Sequence, residues 1–368
     1  MPHPYLAAIT FDANGGGVAA VSRLLRDVFR QRWGSDCRLV TLLDAQEAET
    51  SLHASAMTRL RFGTKLAQAQ AAGDCGWVFY SHLGLSRVQR YVPALWRRPY
   101  GIFIHGIEAW RRLTPPQMAI VNNAALRVAN SHVTASRVAG ANPDIAPMHV
   151  CPLALPSGFH VNGDGPTTRV GDLTLGPRAV VLVARMMASE RYKGHDELLD
   201  VWPVVRARVP DAQLVFVGGG DDVGRLRSRA AALGIEQAVV FTGFISDARV
   251  HDIYGQAAVF AMPSAGDGFG LVYLEAMAHG LPCIGSTHDA AREIIVDGDT
   301  GYLVDRSDAE GLAARLVALL TDERRRREMG ESGLRRWREQ FTYERFASAM
   351  VSLIESTLDV ATAQRQAS

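Results

Sequence analysis

The sequence predicts an α/β protein built from two doubly wound domains, and three features predict it. Short β-branched or aromatic runs alternate with longer helical patterns along most of the chain, the mark of parallel α/β layers. The 368 residues exceed what one hydrophobic core ordinarily supports. A stretch rich in Gly, Pro and Thr and poor in apolar periodicity, residues 155–177, breaks the alternation near the middle.

In the first half the strands are expected at "YLAAITF", "CRLVTLL", "WVFYSH", "YGIFIHG" and "LRVAN"; a second series runs "RAVVLVA", "AQLVFVG", "AVVFTGF", "AVFAMPS" and "LPCIGS". The expected division is a first domain over 1–154, a linker over 155–177 and a second domain over 178–342. A terminal helix over 343–368 would pack back on the first domain and end in a frayed tail. Two such domains are expected to face each other across a cleft, because ligands of open α/β sheets bind outside the carboxyl ends of the strands. Beyond residue 308 the pattern is helical, and "TDERRRREMGESGLRRWREQF" alternates opposite charges at helical spacing, as an exposed, ion-paired helix does.

Composition narrows the class. Apolar residues at 48% and charged residues at 21% describe an ordinary globular chain. No window reaches the roughly 20 uninterrupted apolar residues of a membrane span, and prolines occupy the start where a secretion signal wants positive charge; the expectation is a cytoplasmic protein. Cys37, Cys75, Cys151 and Cys283 share no recurring spacing, which favours free thiols over a disulfide frame or a zinc site. His279, Cys283 and His288 match no common metal-ligand spacing, so no metal site is expected.

The net charge of +1 conceals an asymmetry. Residues 1–150 carry 16 Lys and Arg against 9 Asp and Glu, and the remainder 23 against 29. In the basic half, Arg87, Arg90, Arg97, Arg98, Arg111 and Arg112 interleave with Tyr91, Trp96, Tyr100 and Trp110. The plain reading is a solvated face. The sharper one is contact with a phosphorylated acceptor or with an anionic membrane surface, and the latter would place the protein peripherally on the inner membrane face. Nucleic acid is not an expected partner of a chain so near neutrality.

Several groups can do chemistry. In "ARMMASERYKGH", Arg185 at a strand's end and Lys193 just before a helix can converge on one anion, with the helix N-terminus adding partial positive charge. Lys193 is one of only two lysines among 39 basic residues, so its presence points to a need for a compact ammonium. "FDANGGGVAAVSRLL" sets Gly15, Gly16 and Gly17 between a strand and a helix, where a ligand can approach the backbone closely. "FIHGIEAW" places His105 and Glu108 after a strand. The "FVGGGDD" turn lacks the glycine spacing and later acid of a dinucleotide site. Asp297 and Asp299 in "IIVDGDTGYLV" read as a turn between a helix and a short strand rather than a metal pair. In "PSAGDGFGLVYLEAMAHGLPCIG", Asp267 and Glu275 bracket a glycine turn that runs into a helix, so that the two carboxylates can reach different parts of one extended ligand.

Together "VARMMASERYKG", "TGFISD", "PSAGDGFGLVYLEAMAHGLP" and "DGDTGYLV" resemble glycosyltransferase family 4, retaining enzymes of the GT-B fold with two Rossmann-like domains, and the resemblance covers nearly the whole chain. It implies that Arg185 and Lys193 bind the diphosphate of a nucleotide sugar and that Glu275 holds the ribose hydroxyls. Asp267 would lie by the transferred sugar, with Gly268, Phe269 and Gly270 beside it and Phe244 also at the donor. His105 would approach the sugar from the first domain, and Gly16 and Gly17 the phosphates or the acceptor. Asp267 stands where the family usually has Glu, one methylene shorter. The implied function is metal- and cofactor-independent transfer of a hexose from a UDP- or GDP-sugar to a glycan or lipid-linked acceptor, by front-face return, in bacterial surface polysaccharide or glycolipid synthesis. The alternatives are a nucleotide-sugar epimerase or hydrolase of the same fold, or a non-catalytic nucleotide-sugar-binding protein.

Overall fold

The computed structural model describes residues 2–12, 16–43, 54–159, 161 and 174–367. Gly15 and most of the expected linker lie outside the described residues. The chain divides into two compact units, Met1–Ser157 with Thr342–Ser368, and Gly158–Phe341.

The first unit holds a six-stranded parallel sheet: β1 (His3–Ala8), β2 (Arg38–Thr41), β3 (Cys75–Tyr80), β4 (Tyr100–Ile104), β5 (Leu126–Ala129) and β6 (His149–Val150), in the order β2-β1-β3-β4-β5-β6. Every residue of β3 and β4 is buried, which is why these strands read as continuous apolar runs rather than alternating ones. Among the helices are α1 (Gly16–Trp33), α2 (Ala56–Ala71), α3 (Pro115–Asn122) and α4 (His132–Ala141). Their starts are marked chemically: Ser55 accepts from the Thr58 amide, Ser131 from the Thr134 amide, and Thr114 forms a capping box with Gln117 just before Pro115. The strand β6 had no expectation; two residues are too short to show a period.

The second unit repeats the plan with β7 (Ala179–Val183), β8 (Gln213–Val217), β9 (Val239–Phe241), β10 (Val259–Ala261), β11 (Cys283–Ser286) and β12 (Gly301–Val304), all parallel in the order β12-β11-β10-β7-β8-β9. Its helices include α5 (His195–Arg208), α6 (Val223–Ala232), α7 (Asp247–Gln256), α8 (Leu271–Ala278), α9 (Ala291–Ile294), α10 (Ala309–Thr321) and α11 (Glu323–Gln340). From β7 the sheet grows one way through β8 and β9, and from β10 the other way through β11 and β12. The loops after β7 and β10 therefore leave the sheet at its switch point, where a doubly wound sheet opens a crevice.

The arginine-rich segment is α11, where Arg324 pairs with Glu328 one turn on at 2.9 Å. Then α12 (Tyr343–Ile354), a π-helical segment Glu355–Asp359 and α13 (Val360–Ala367) complete the first unit. The helical run Glu323–Arg365 contains one 18-residue window of mean hydropathy 1.2, long and apolar enough to cross a membrane by composition alone. Phe346, Met350, Ile354 and Leu358 bury that apolar face within the unit. There Tyr343 donates to Gln31 Oε1 at 3.0 Å, and Trp77 Nε1 donates to Asp359 at 2.7 Å. The cysteines are free, with Cys75, Cys151 and Cys283 buried.

Candidate active site

The loop after β7 carries Arg185 and enters a 3-10 turn, Ala188–Lys193, before Gly194 opens α5. Gly194 takes φ +94°, and a Cβ there would stand 2.8 Å from the Pro263 ring. Only glycine lets the lysine loop and the loop after β10 come this close. The "FVGGGDD" turn has a similar office. A Cβ on Gly220 would lie 2.0 Å from the Met186 carbonyl oxygen, while the Met186 amide donates to Gly219 O at 2.9 Å. These glycines hold the Arg185 loop in place.

Lys193 and Asp267 form an ion pair in which both side chains are largely buried. Burial alone would lower the ammonium's pKa, but Asp267 outweighs it and the net shift is upward, so Lys193 stays charged. The second Asp267 oxygen accepts from Ser264 Oγ at 2.5 Å, and the Asp267 amide donates to Asp289 at 3.3 Å. Burial, reinforced by the Asp267 charge, pushes the Asp289 carboxyl up to about 7. Arg185 is half exposed and pairs with Glu190 at 2.5 Å. Both cations expected to bind a diphosphate are thus paired with carboxylates, Arg185 with Glu190 and Lys193 with Asp267.

Glu275 lies in the second turn of α8, where Tyr254 donates to its Oε2 at 3.0 Å. Burial pushes its carboxyl up to about 7, against the Tyr254 hydrogen bond, which lowers it. If Glu275 holds the ribose hydroxyls, as the resemblance implies, it is needed ionised, and nucleoside diphosphate affinity should rise by about tenfold between pH 6 and 8. Titration calorimetry against Glu275→Gln, which keeps the ligand's own titration, isolates the effect; an identical pH profile in both proteins contradicts the assignment.

Gly270 immediately precedes α8, as its spacing predicted. The Phe269 side chain is buried against Phe341, ring centroids 6.1 Å apart, so what Phe269 can offer a ligand is its backbone. Phe244 is 76% exposed beyond the end of β9, a flat apolar face presented to solvent. Asp297 accepts from the Leu303 amide at 2.9 Å, and the Gly298 amide donates to Gly301 O at 2.8 Å, so the paired aspartates belong to a turn.

In the first unit, His105 follows β4. Its Nε2 lies 2.6 Å from the Ser81 carbonyl, its amide donates to Glu108 Oε1 at 2.6 Å, and Asn130 donates to its carbonyl at 2.8 Å. A carbonyl only accepts, so Nε2 carries a hydrogen. Gly16, with φ +64°, and Gly17 begin α1 after β1, whose neighbours in the sheet are β2 and β3. Sequence reasoning passed over Ser264, Asp289 and Glu190, which orient or balance the named residues; an acid just ahead of a helix in "STHDAARE" was the available signal for Asp289.

Two six-stranded parallel sheets with a site at the second sheet's switch point define the GT-B class. The chain superposes on Anabaena Alr3699/HepE in complex with UDP with a TM-score of 0.75 at 19% identity, over 97% of this chain and 100% of that one. With sucrose-phosphate synthase from Thermosynechococcus elongatus the TM-score is 0.76 at 19% identity, over 96% and 98%. Residues 175–336 match the model of the glycosyl transferases group 1. It is 36% identical over 245 residues to the GDP-mannose-dependent alpha-(1-6)-phosphatidylinositol monomannoside mannosyltransferase of Mycolicibacterium smegmatis, covering 63% of each chain. It is 38% identical over 138 residues to the N-acetyl-alpha-D-glucosaminyl L-malate synthase of Bacillus anthracis, covering 38% of this chain and 36% of that enzyme. The matched regions thus span between about a third and two thirds of these relatives.

Proposed function

We propose that this chain is a retaining glycosyltransferase that moves a hexose from a nucleoside diphosphate sugar to a glycan or lipid-linked acceptor. The observation that carries the reading is the Lys193–Asp267 pair at the switch point, with Glu275 in the second turn of α8, the helix that follows the Asp267 loop. Cleaving the bond between the anomeric carbon and the diphosphate oxygen builds negative charge on the departing phosphate. Lys193, Arg185 and the first amides of α5 stabilise that charge. Asp267 positions the sugar, and the leaving phosphate oxygen accepts the proton of the attacking hydroxyl on the same face, so the anomeric configuration is retained.

The M. smegmatis relative is named for GDP-mannose, which makes a guanine nucleotide the first donor to test. In a thermal-shift panel, ligand at about 100 times its dissociation constant stabilises the native state by roughly 2.7 kcal/mol. GDP should shift the melting temperature more than UDP; the reverse order overturns the guanine reading, and no shift with any nucleoside diphosphate overturns the function. Nucleotide release that depends on an added acceptor separates transfer from hydrolysis or epimerisation.

The proposed leaving-group site works through cationic side chains and helix amides, so transfer should survive excess chelator. Rates measured with and without chelator check this; strict dependence on added magnesium or manganese contradicts it.

A further inference from the structure

The loop after β11 carries a second buried acid beside the site. In β11 a Cβ on Gly285 would stand 2.7 Å from the Ala291 side chain, so glycine lets α9 close over the strand. That closure sets Asp289, fully buried, against the loop after β10. One Asp289 oxygen accepts from the Ala291 amide at 3.0 Å, as a helix cap does, while the other faces the Asp267 amide at 3.3 Å. The Ala290 amide in turn donates to the Asp267 carbonyl at 3.3 Å. Nearer the strand, Ser286 Oγ donates to the Ser264 carbonyl and accepts from the His288 amide at 3.0 Å. Capping a four-residue helix needs one oxygen and no burial. The second oxygen of Asp289 is turned to Asp267 instead.

Ser264, also buried, is what the two acids have in common. Its hydroxyl accepts from the Gly266 amide at 3.3 Å, donates to Asp267 Oδ2 at 2.5 Å and lies within hydrogen-bond reach of Asp289. A hydroxyl has one hydrogen to give. With Asp289 ionised, that hydrogen faces two carboxylates, and the single ammonium of Lys193 faces two negative charges. With Asp289 neutral, its own hydroxyl can donate to Ser264, and the Ser264 hydrogen is committed to Asp267. Burial and the Asp267 charge both favour the neutral form, so that Asp289 changes charge at about pH 7. The other ionisable groups around it are Tyr273 on α8, whose buried phenol stays protonated, and Lys193 on the loop after β7, behind Asp267. His288, its neighbour in the chain, is turned toward Asp305 at 3.8 Å.

We propose that Asp289 is a positioning residue for Asp267: in its protonated form it commits the Ser264 hydroxyl to the Asp267 carboxylate and so fixes the group that orients the transferred sugar. The inference rests on the reading of Asp267 as a sugar-positioning group. The test is nucleotide release from GDP-mannose and from UDP-glucose at saturating donor between pH 6 and 8, with the affinity for free GDP and UDP measured beside it. Wild-type turnover should fall by about tenfold over that range, the effect of one proton, opposite in direction to the rise in nucleotide affinity expected from Glu275. Asp289→Asn offers an oxygen and a donor at every pH, so it should lose this limb and turn over several-fold faster than wild type at pH 8. Asp289→Ala lacks the clasp and should be slower than wild type at pH 6 by about tenfold or more. Neither change should weaken the binding of free nucleotide. Thermal melting of each variant reports whether it is folded, and Asp289→Asn carries the test if the alanine variant is not. An active wild type whose pH limb persists in Asp289→Asn overturns this inference alone, as does a loss of nucleotide affinity in step with turnover. A wild type that releases nucleotide from neither sugar and binds neither GDP nor UDP removes the reading of the site, and this inference with it.

Discussion

Lys193→Ala is expected to lower turnover at saturating donor by roughly 10²–10³-fold, on the order of 3–4 kcal/mol of lost leaving-group stabilisation. The ammonium is held by the turn after β7 and by the contact with Asp267, so it is oriented before a donor arrives. Its removal leaves a largely buried Asp267 charge without its cationic partner, with Ser264 Oγ still donating to it. That adds a stability cost, because breaking a buried pair leaves an uncompensated ion. The two effects separate in Lys193→Ala combined with Asp267→Asn, which should regain much of the lost urea midpoint and none of the turnover. Near wild-type turnover in folded Lys193→Ala would remove the diphosphate assignment altogether.

The legible part of this molecule was what period and punctuation encode. Ten of the twelve strands stand where β-branched or aromatic runs marked them, and β12 follows the turn around Gly298. The strands end earlier than the apolar runs do. In "AVFAMPS", β10 stops at Ala261, since Met262 to Ser264 already turn toward the site, and apolar character does not record where a ladder ends. Asp267, Glu275 and Lys193 were legible because glycine turns isolate them. Their mutual state was not: nothing in the spacing says that a lysine 74 residues upstream neutralises Asp267.

Asp267 and Glu275 should fail in different ways when their charges are removed. Glu275→Gln deletes an acceptor of charge-assisted hydrogen bonds worth about 1.5–3 kcal/mol, so donor and free nucleotide should both bind roughly 10- to 100-fold more weakly. That contact is present before and during reaction, so the rate at saturating donor should change little. Asp267→Asn acts on the sugar end and also releases Lys193. With its competing carboxylate gone, the ammonium is available to phosphate from the start, so free nucleoside diphosphate should bind as tightly as to wild type or up to about tenfold tighter. Transfer should nevertheless fall by on the order of 10²-fold, because the sugar loses an oriented acceptor in the transition state. Asp267→Glu restores the charge with one methylene more reach, and should recover the Lys193 pairing while changing the preferred sugar. Calorimetric affinities for free nucleotide, measured beside transfer rates for the three variants, decide the matter. If Asp267→Asn weakens free-nucleotide binding as much as Glu275→Gln does, the two carboxylates serve one end of the ligand, and Lys193 depends on Asp267 to face the phosphates at all.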